Sequence, residues 1–388
     1  MRALRTRAQA RDITEQHRTS TPLELLFDLT FVVAVSSLVV ELAHRVADNQ
    51  AGEAIVPFFA VFFAIWWAWN QFTWLSSAYD SDDVPYRVFT MVQMAGVLVL
   101  AAGVPRAFDD QDFGAITIGY FIMRLGLVAM LIRVAVEDPE SRANTVRHAI
   151  GISVVQVGWL LRLVLVPLEF FLPAFILLAV AEMLVSPWAG RKGDLPWHPH
   201  HIAERYGLFA IILLGESVLA VTLAVQNAIV DAVTPPLVAV AACGLTLLFA
   251  LWWLYFSEPA AEGLVKRRDR SYIWGYGHYL IYAALAAIGS GIEVAVEAVG
   301  GHVEASPEAV AFALAIPLAV FVLMLWLVHA PLVDRVSIPP SATIVAVVLI
   351  LLLPLAAGML GVVATTAALT AVTVALLVAA LADGRTHA

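Results

Sequence analysis

The chain has 388 residues, 61% of them hydrophobic and 14% charged, with a formal net charge of −9 and a mean hydropathy of +0.86. A soluble domain carries roughly a quarter charged residues, so water is not the solvent for most of this surface. The negative balance sums over two compartments and identifies no partner, nothing points to nucleic acid, and the lone Cys243 excludes an intrachain disulfide.

In chain order, residues 1–22 form a basic segment with Arg2, Arg5, Arg7, Arg11 and Arg18 ahead of the first apolar run. It resembles a signal peptide only superficially, because the run is long, carries Glu24 and Asp28 and has no small-residue cleavage pattern. We read that run as a retained first span. Apolar stretches separated by polar or Pro/Gly breaks predict helices over 23–46, 53–78, 85–104, 114–136, 146–167, 170–187, 202–226, 234–256, 272–298, 307–330, 341–359 and 361–382. Ile55–Leu75 and Ser341–Gly358 contain no ionisable side chain and are long enough to cross a bilayer. The expected class is therefore all-α, a polytopic membrane protein of about twelve spans, with the lipid bilayer as its first partner and no loop large enough to fold by itself.

With the N-terminus in the cytoplasm, eighteen of the 22 Lys and Arg residues fall on that side, including Lys192, Lys266 and Arg335. Only Arg45 and Arg106 fall opposite, and Arg124 and Arg162 lie within helices. This is the positive-inside pattern of a multi-pass inner-membrane protein with both termini cytoplasmic. Lysines confined to loops also exclude a retinal Schiff base on a helix.

The chain repeats itself. Glu24 followed by Ser37-Leu38 matches Glu204 followed by Ser217-Val218, and Ile65-Trp66-Trp67, Tyr86 and Gly103 match Leu251-Trp252-Trp253, Tyr272 and Gly289. The spacing predicts two six-helix repeats, 23–190 and 191–388, with the same orientation in the membrane.

An ionised group at mid-helix costs ~2.5–3.5 kcal/mol on insertion scales, so each one needs a partner or a watery cavity. Glu24 and Asp28 stand four apart on one face of the first span, and Glu216 lies well inside the seventh between Gly215 and Ser217. Arg124 and Arg162 are the expected cationic partners of Asp28 or Glu216. Glu182, His278, Glu293 and His329 stand nearer helix ends, where snorkelling explains them. Trp66, well inside the second span, could wall a cavity. His201 and Glu204 share a helical face at a metal-ligand spacing, and Asp80, Asp82 and Asp83 could bind a divalent cation, although a helix cap in a solvated loop explains that cluster more simply. No phosphate loop, His-Glu-x-x-His or Gly-x-Ser-x-Gly signature is present.

The stretch Glu24-Leu-Leu-Phe-Asp28-Leu-Thr-Phe-Val resembles the opening signature of the bacterial low-temperature-requirement A (LtrA) family. His201-x-x-Glu204-Arg205-Tyr206-Gly207-Leu-Phe, continuing to Gly215-Glu216-Ser217, resembles its second, more specific signature, and Asp80-Ser-Asp82-Asp83 with Arg87 extends the match. Tyr206, where an apolar residue is expected, is a mild departure. The resemblance implies a multi-spanning bacterial membrane protein named for growth in the cold, and it supplies no substrate or reaction.

A duplicated unit with carboxylates on the first span of each half suits a secondary carrier of a small solute or ion, without a cofactor, in which an arginine partner is exchanged for a proton. Glu24, Asp28, Arg124, Arg162, Glu204, Glu216, Ser217 and Trp66 are then the binding candidates. A membrane-embedded enzyme for lipid or polyprenyl substrates, using Asp80, Asp82 and Asp83, is the rival from another class. A non-catalytic protein of cold adaptation is the third. The substrate and the oligomeric state are not legible.

Overall fold

The computed structural model describes residues 4–13, 15, 18–191, 193–229, 233–258, 260–301, 303–333 and 337–385. Arg2, Lys192 and Arg335, counted above among the inward-facing cations, lie outside the described residues, which contain helices and no strand.

Twelve long helices follow in order: α1 Pro22–Ala47, α2 Ala51–Ala78, α3 Val84–Ala102, α4 Gly114–Glu137, α5 Arg142–Leu165, α6 Phe171–Gly190, α7 Pro199–Ile229, α8 Pro235–Phe256, α9 Ser271–Gly300, α10 Pro307–His329, α11 Pro340–Leu352 and α12 Ala357–Arg385. Local chemistry fixes many of the ends. Proline opens α1, α7, α8, α10 and α11, where its missing N–H costs nothing. Asp83, Thr234 and Ser306 cap α3, α8 and α10 by accepting from the backbone N–H of Tyr86, Leu237 and Ala309. Gly301, in the left-handed region at φ 78°, closes α9.

By length and hydropathy, eleven stretches among the described residues can cross a membrane, the last running 43 residues from Pro340 to Ala382. A helix of that length would reach about 65 Å, twice the hydrocarbon thickness. The stretch is broken by a single 3-10 turn at Leu353–Ala356 and by Gly361, whose φ of 79° and ψ of 165° are not helical. Gly361 falls at the junction of the two spans expected at 341–359 and 361–382, whereas the 3-10 turn falls inside the first of them. Side chains such as Val154, Val164, Leu177 and Met359 stand 65, 82, 69 and 93% exposed, a surface suited to lipid.

The chain forms two compact units, residues 1–37 with 56–205 and residues 38–55 with 206–388. In the first unit, α3 and α4 meet backbone to backbone: a Cβ on Gly96 would stand 2.6 Å from the Gly119 carbonyl oxygen. In the second, α9 meets α10 in the same manner, a Cβ on Gly291 standing 2.8 Å from the Ala313 carbonyl oxygen. Small residues at both crossings allow the close approach on which packing in lipid depends.

Candidate functional site

In the first unit, Glu24 and Asp28 project from the opening turns of α1 toward Arg205 in the second turn of α7, all three at most 1% exposed. Arg205 donates to both oxygens of Asp28, Nε to Oδ2 at 3.0 Å and Nη2 to Oδ1 at 2.6 Å, and its Nη1 stands 2.9 Å from Glu24 Oε1. Trp69 Nε1 of α2 donates to Asp28 Oδ1 at 2.8 Å, so a second helix fixes the same carboxylate. Arg205 also donates to Ser76 Oγ at 3.4 Å, with its guanidinium 5.9 Å from the Phe72 ring centroid. Glu24 Oε2 accepts from the Thr21 N–H at 2.9 Å and stands 3.3 Å from His201 Nε2. Two carboxylates thus share one guanidinium beside an imidazole, within a space closed to water. Charge-assisted, two-pronged bonds of this kind are the strongest that side chains make.

Arg205 therefore takes the place expected for Arg124 or Arg162. Reading it as a loop residue, one of the inward-facing cations, hid its role; it stands inside α7 and is fully buried. Arg124 instead pairs with Glu182 of α6 at 3.0 Å, both 2% exposed, and Trp159 Nε1 donates to the same carboxylate at 2.8 Å. Among the described residues Arg162 meets no carboxylate; it donates to Thr117 Oγ1 at 3.3 Å. Glu204 accepts from the Ser20 N–H at 3.2 Å rather than sharing a ligand with His201. Trp66 is fully buried against Trp67, ring centroids 5.3 Å apart.

The acidic loop meets arginines. Asp82 pairs with Arg87 at 2.9 Å, Asp83 with Arg133 at 2.6 Å, and Asp80 stands 3.8 Å from Arg11. Thr6 of the basic N-terminal segment donates its N–H to Asp83 at 2.9 Å, and Ala8 donates to Glu137 at 2.6 Å, so this segment lies against the loop ends of the first unit. Burial raises the Asp83 carboxyl, but the bonds from Arg133, Thr6 and Tyr86 outweigh it and hold the group at about 2. Burial and then the Glu24 charge push Asp80 up to about 6, against Arg18 and Arg11. Among the described residues no group of three or more His, Cys, Asp or Glu side chains is placed to hold a metal ion.

In the second unit, Glu216 and Glu293 are 3 and 8% exposed and are electrostatic neighbours, with Glu297 a further acid near Glu293. They flank a close helix crossing, where a Cβ on Gly289 of α9 would stand 2.7 Å from Ser217 Oγ of α7. From Tyr206 to Ala382 no long helix carries a lysine or arginine. Nearby in chain order, His278 and His329 each donate Nδ1–H to the carbonyl one turn back, at 2.7 and 2.9 Å. Glu182, His278, Glu293 and His329, assigned above to helix ends and snorkelling, are all buried. Position along the helix does not reveal this, because it says nothing of the groups packed around a side chain, such as Arg124 and Trp159 beside Glu182.

Buried ionic networks inside a bundle of long apolar helices define a polytopic α-helical membrane protein. Residues 19–381 match the family described as bacterial low temperature requirement A protein (LtrA), and the chain belongs to that family. The chain is also similar to an uncharacterized protein of Rhizobium meliloti (strain 1021), 27% identical over 308 residues that cover 73% of this chain and 71% of that one. No solved structure matches it.

Proposed function

We propose that the protein is a secondary transporter of a small solute or ion, driven by a proton or another small cation that binds at Glu216 and Glu293. The observation that carries this reading is a pair of buried acids: Glu216 and Glu293 are 3 and 8% exposed and are electrostatic neighbours. Two like charges at that depth favour uptake of a proton or a small cation, and both can be exchanged. In the first unit, the Glu24–Asp28–Arg205 network ties the opening turns of α1 to the second turn of α7 and supplies the fixed counterpart to that pair.

The charge distribution supports the bacterial cytoplasmic membrane as location, with both termini inside. The glycine crossings of α3 with α4 and of α9 with α10 support two repeats of six helices in one orientation. The lipid-enzyme reading draws less support, since Asp82 and Asp83 each engage an arginine. The test uses proteoliposomes loaded with a pH-sensitive dye, under imposed gradients of protons, sodium or potassium. Transport predicts a dye response that Glu216→Gln and Glu293→Gln abolish in folded protein; an unchanged response in both variants removes these residues from the mechanism.

A further inference from the structure

Arg162 lies near the end of α5, 8% exposed, and its surroundings differ from those of the other arginine in the neighbouring helix. Arg124 has Glu182. Arg162 has the Thr117 hydroxyl and two rings, its guanidinium 4.8 Å from the Phe171 centroid and 5.9 Å from that of Phe113. Its Nε–H makes no hydrogen bond, and no carboxylate of the described residues stands within ion-pair distance. Cation–π contact with phenylalanine compensates a guanidinium only in part. A fixed positive charge in an apolar span calls for an anion.

Beside it is a cavity of about 30 Å³, lined by Arg162, Thr117, Tyr120, Trp159, Phe171 and Phe175 among others. A single water needs roughly 10–15 Å³ of such space. The cavity therefore has room for a small ion, and a monatomic anion is the simplest occupant. Its walls supply one donor for that occupant, the Arg162 guanidinium, because the Thr117 hydroxyl already donates to the Phe113 carbonyl at 2.9 Å. All of these groups belong to the first unit, on α4, α5, α6 and the turn before α4.

We propose that Arg162, through the N–H that makes no hydrogen bond, holds one halide-sized anion in this cavity. The site stands apart from the carrier reading, and loss of proton flux in liposomes leaves it untouched.

The test follows thermal unfolding of the full chain in lipid nanodiscs, in sodium chloride, sodium bromide or sodium gluconate at one ionic strength. The expected result is a rise in Tm with chloride or bromide that saturates as a single site, absent in gluconate and absent in Arg162→Gln. No halide-dependent rise in the unaltered protein, or the same rise in Arg162→Gln, overturns the proposal. Where Arg162→Gln does not fold, crystals of the unaltered protein grown in bromide decide the matter: an anomalous peak beside Arg162 supports the site, and a featureless cavity overturns it.

Discussion

Inside the first unit buried acid meets fixed base, Glu24 and Asp28 with Arg205 and Glu182 with Arg124, whereas the long helices of the second unit hold Glu216, Glu293 and Glu297 with no lysine or arginine from Tyr206 to Ala382. The difference is one of exchangeability. An arginine in a two-pronged bond is held by geometry and does not lose its proton, so the first unit's charges set a conformation. Glu216 and Glu293 are instead two acids side by side, and a like-charged pair takes up a proton or a cation more readily than an acid held by arginine, which is the response the proposed function assigns to them.

The largest expected effect breaks the first half of this comparison. Arg205→Leu leaves two buried carboxylates uncompensated and should cost about 3–5 kcal/mol, read as loss of monodisperse protein or a steep fall in Tm. Asp28→Asn should act in the same direction, while Glu293→Gln, which removes an acid and leaves no orphaned base, should stay within about 1 kcal/mol of the parent or stabilise it. Equal losses in Asp28→Asn and Glu293→Gln would erase the distinction between the units.

A second effect lies outside the spans. Asp80 binds its proton more tightly in the folded chain, at about 6, than in the unfolded one, so its contribution to stability falls as pH rises from about 4 to 6. Asp83 has the opposite sign: held at about 2, it stabilises above its unfolded value, and that share is lost as pH falls through about 2. Unfolding measured across pH 3–7 should therefore flatten in Asp80→Asn between 4 and 6, an effect of up to roughly 3 kcal/mol. A smaller loss, ~1–3 kcal/mol, is expected for Gly96→Ala, whose Cβ meets the Gly119 carbonyl. Gly52→Ala, with open space around it, serves as the control.

How much of this was legible in the sequence depends on distance along the chain. Helix ends follow from local chemistry, as at Asp83, Pro199 and Pro307, and the break before the last span follows from its length and from Gly361. The shared face of Glu24 and Asp28 follows from a spacing of four. Their partner does not: Arg205 is 177 residues from Asp28, and in sequence it looks like one more cation beside a loop. The pairing of Arg124 with Glu182 was hidden in the same way, because helix periodicity gives the face of a residue and not the helix that covers it.

On the proposed function, the neighbouring acids Glu216 and Glu293 share a proton or a small cation. Infrared difference spectroscopy tests it most directly, in a buffer whose only cation is choline. The account predicts a protonated-carboxyl band near neutral pH that disappears in Glu216→Gln/Glu293→Gln; absence of the band in the parent, or its persistence in the double variant, would contradict it.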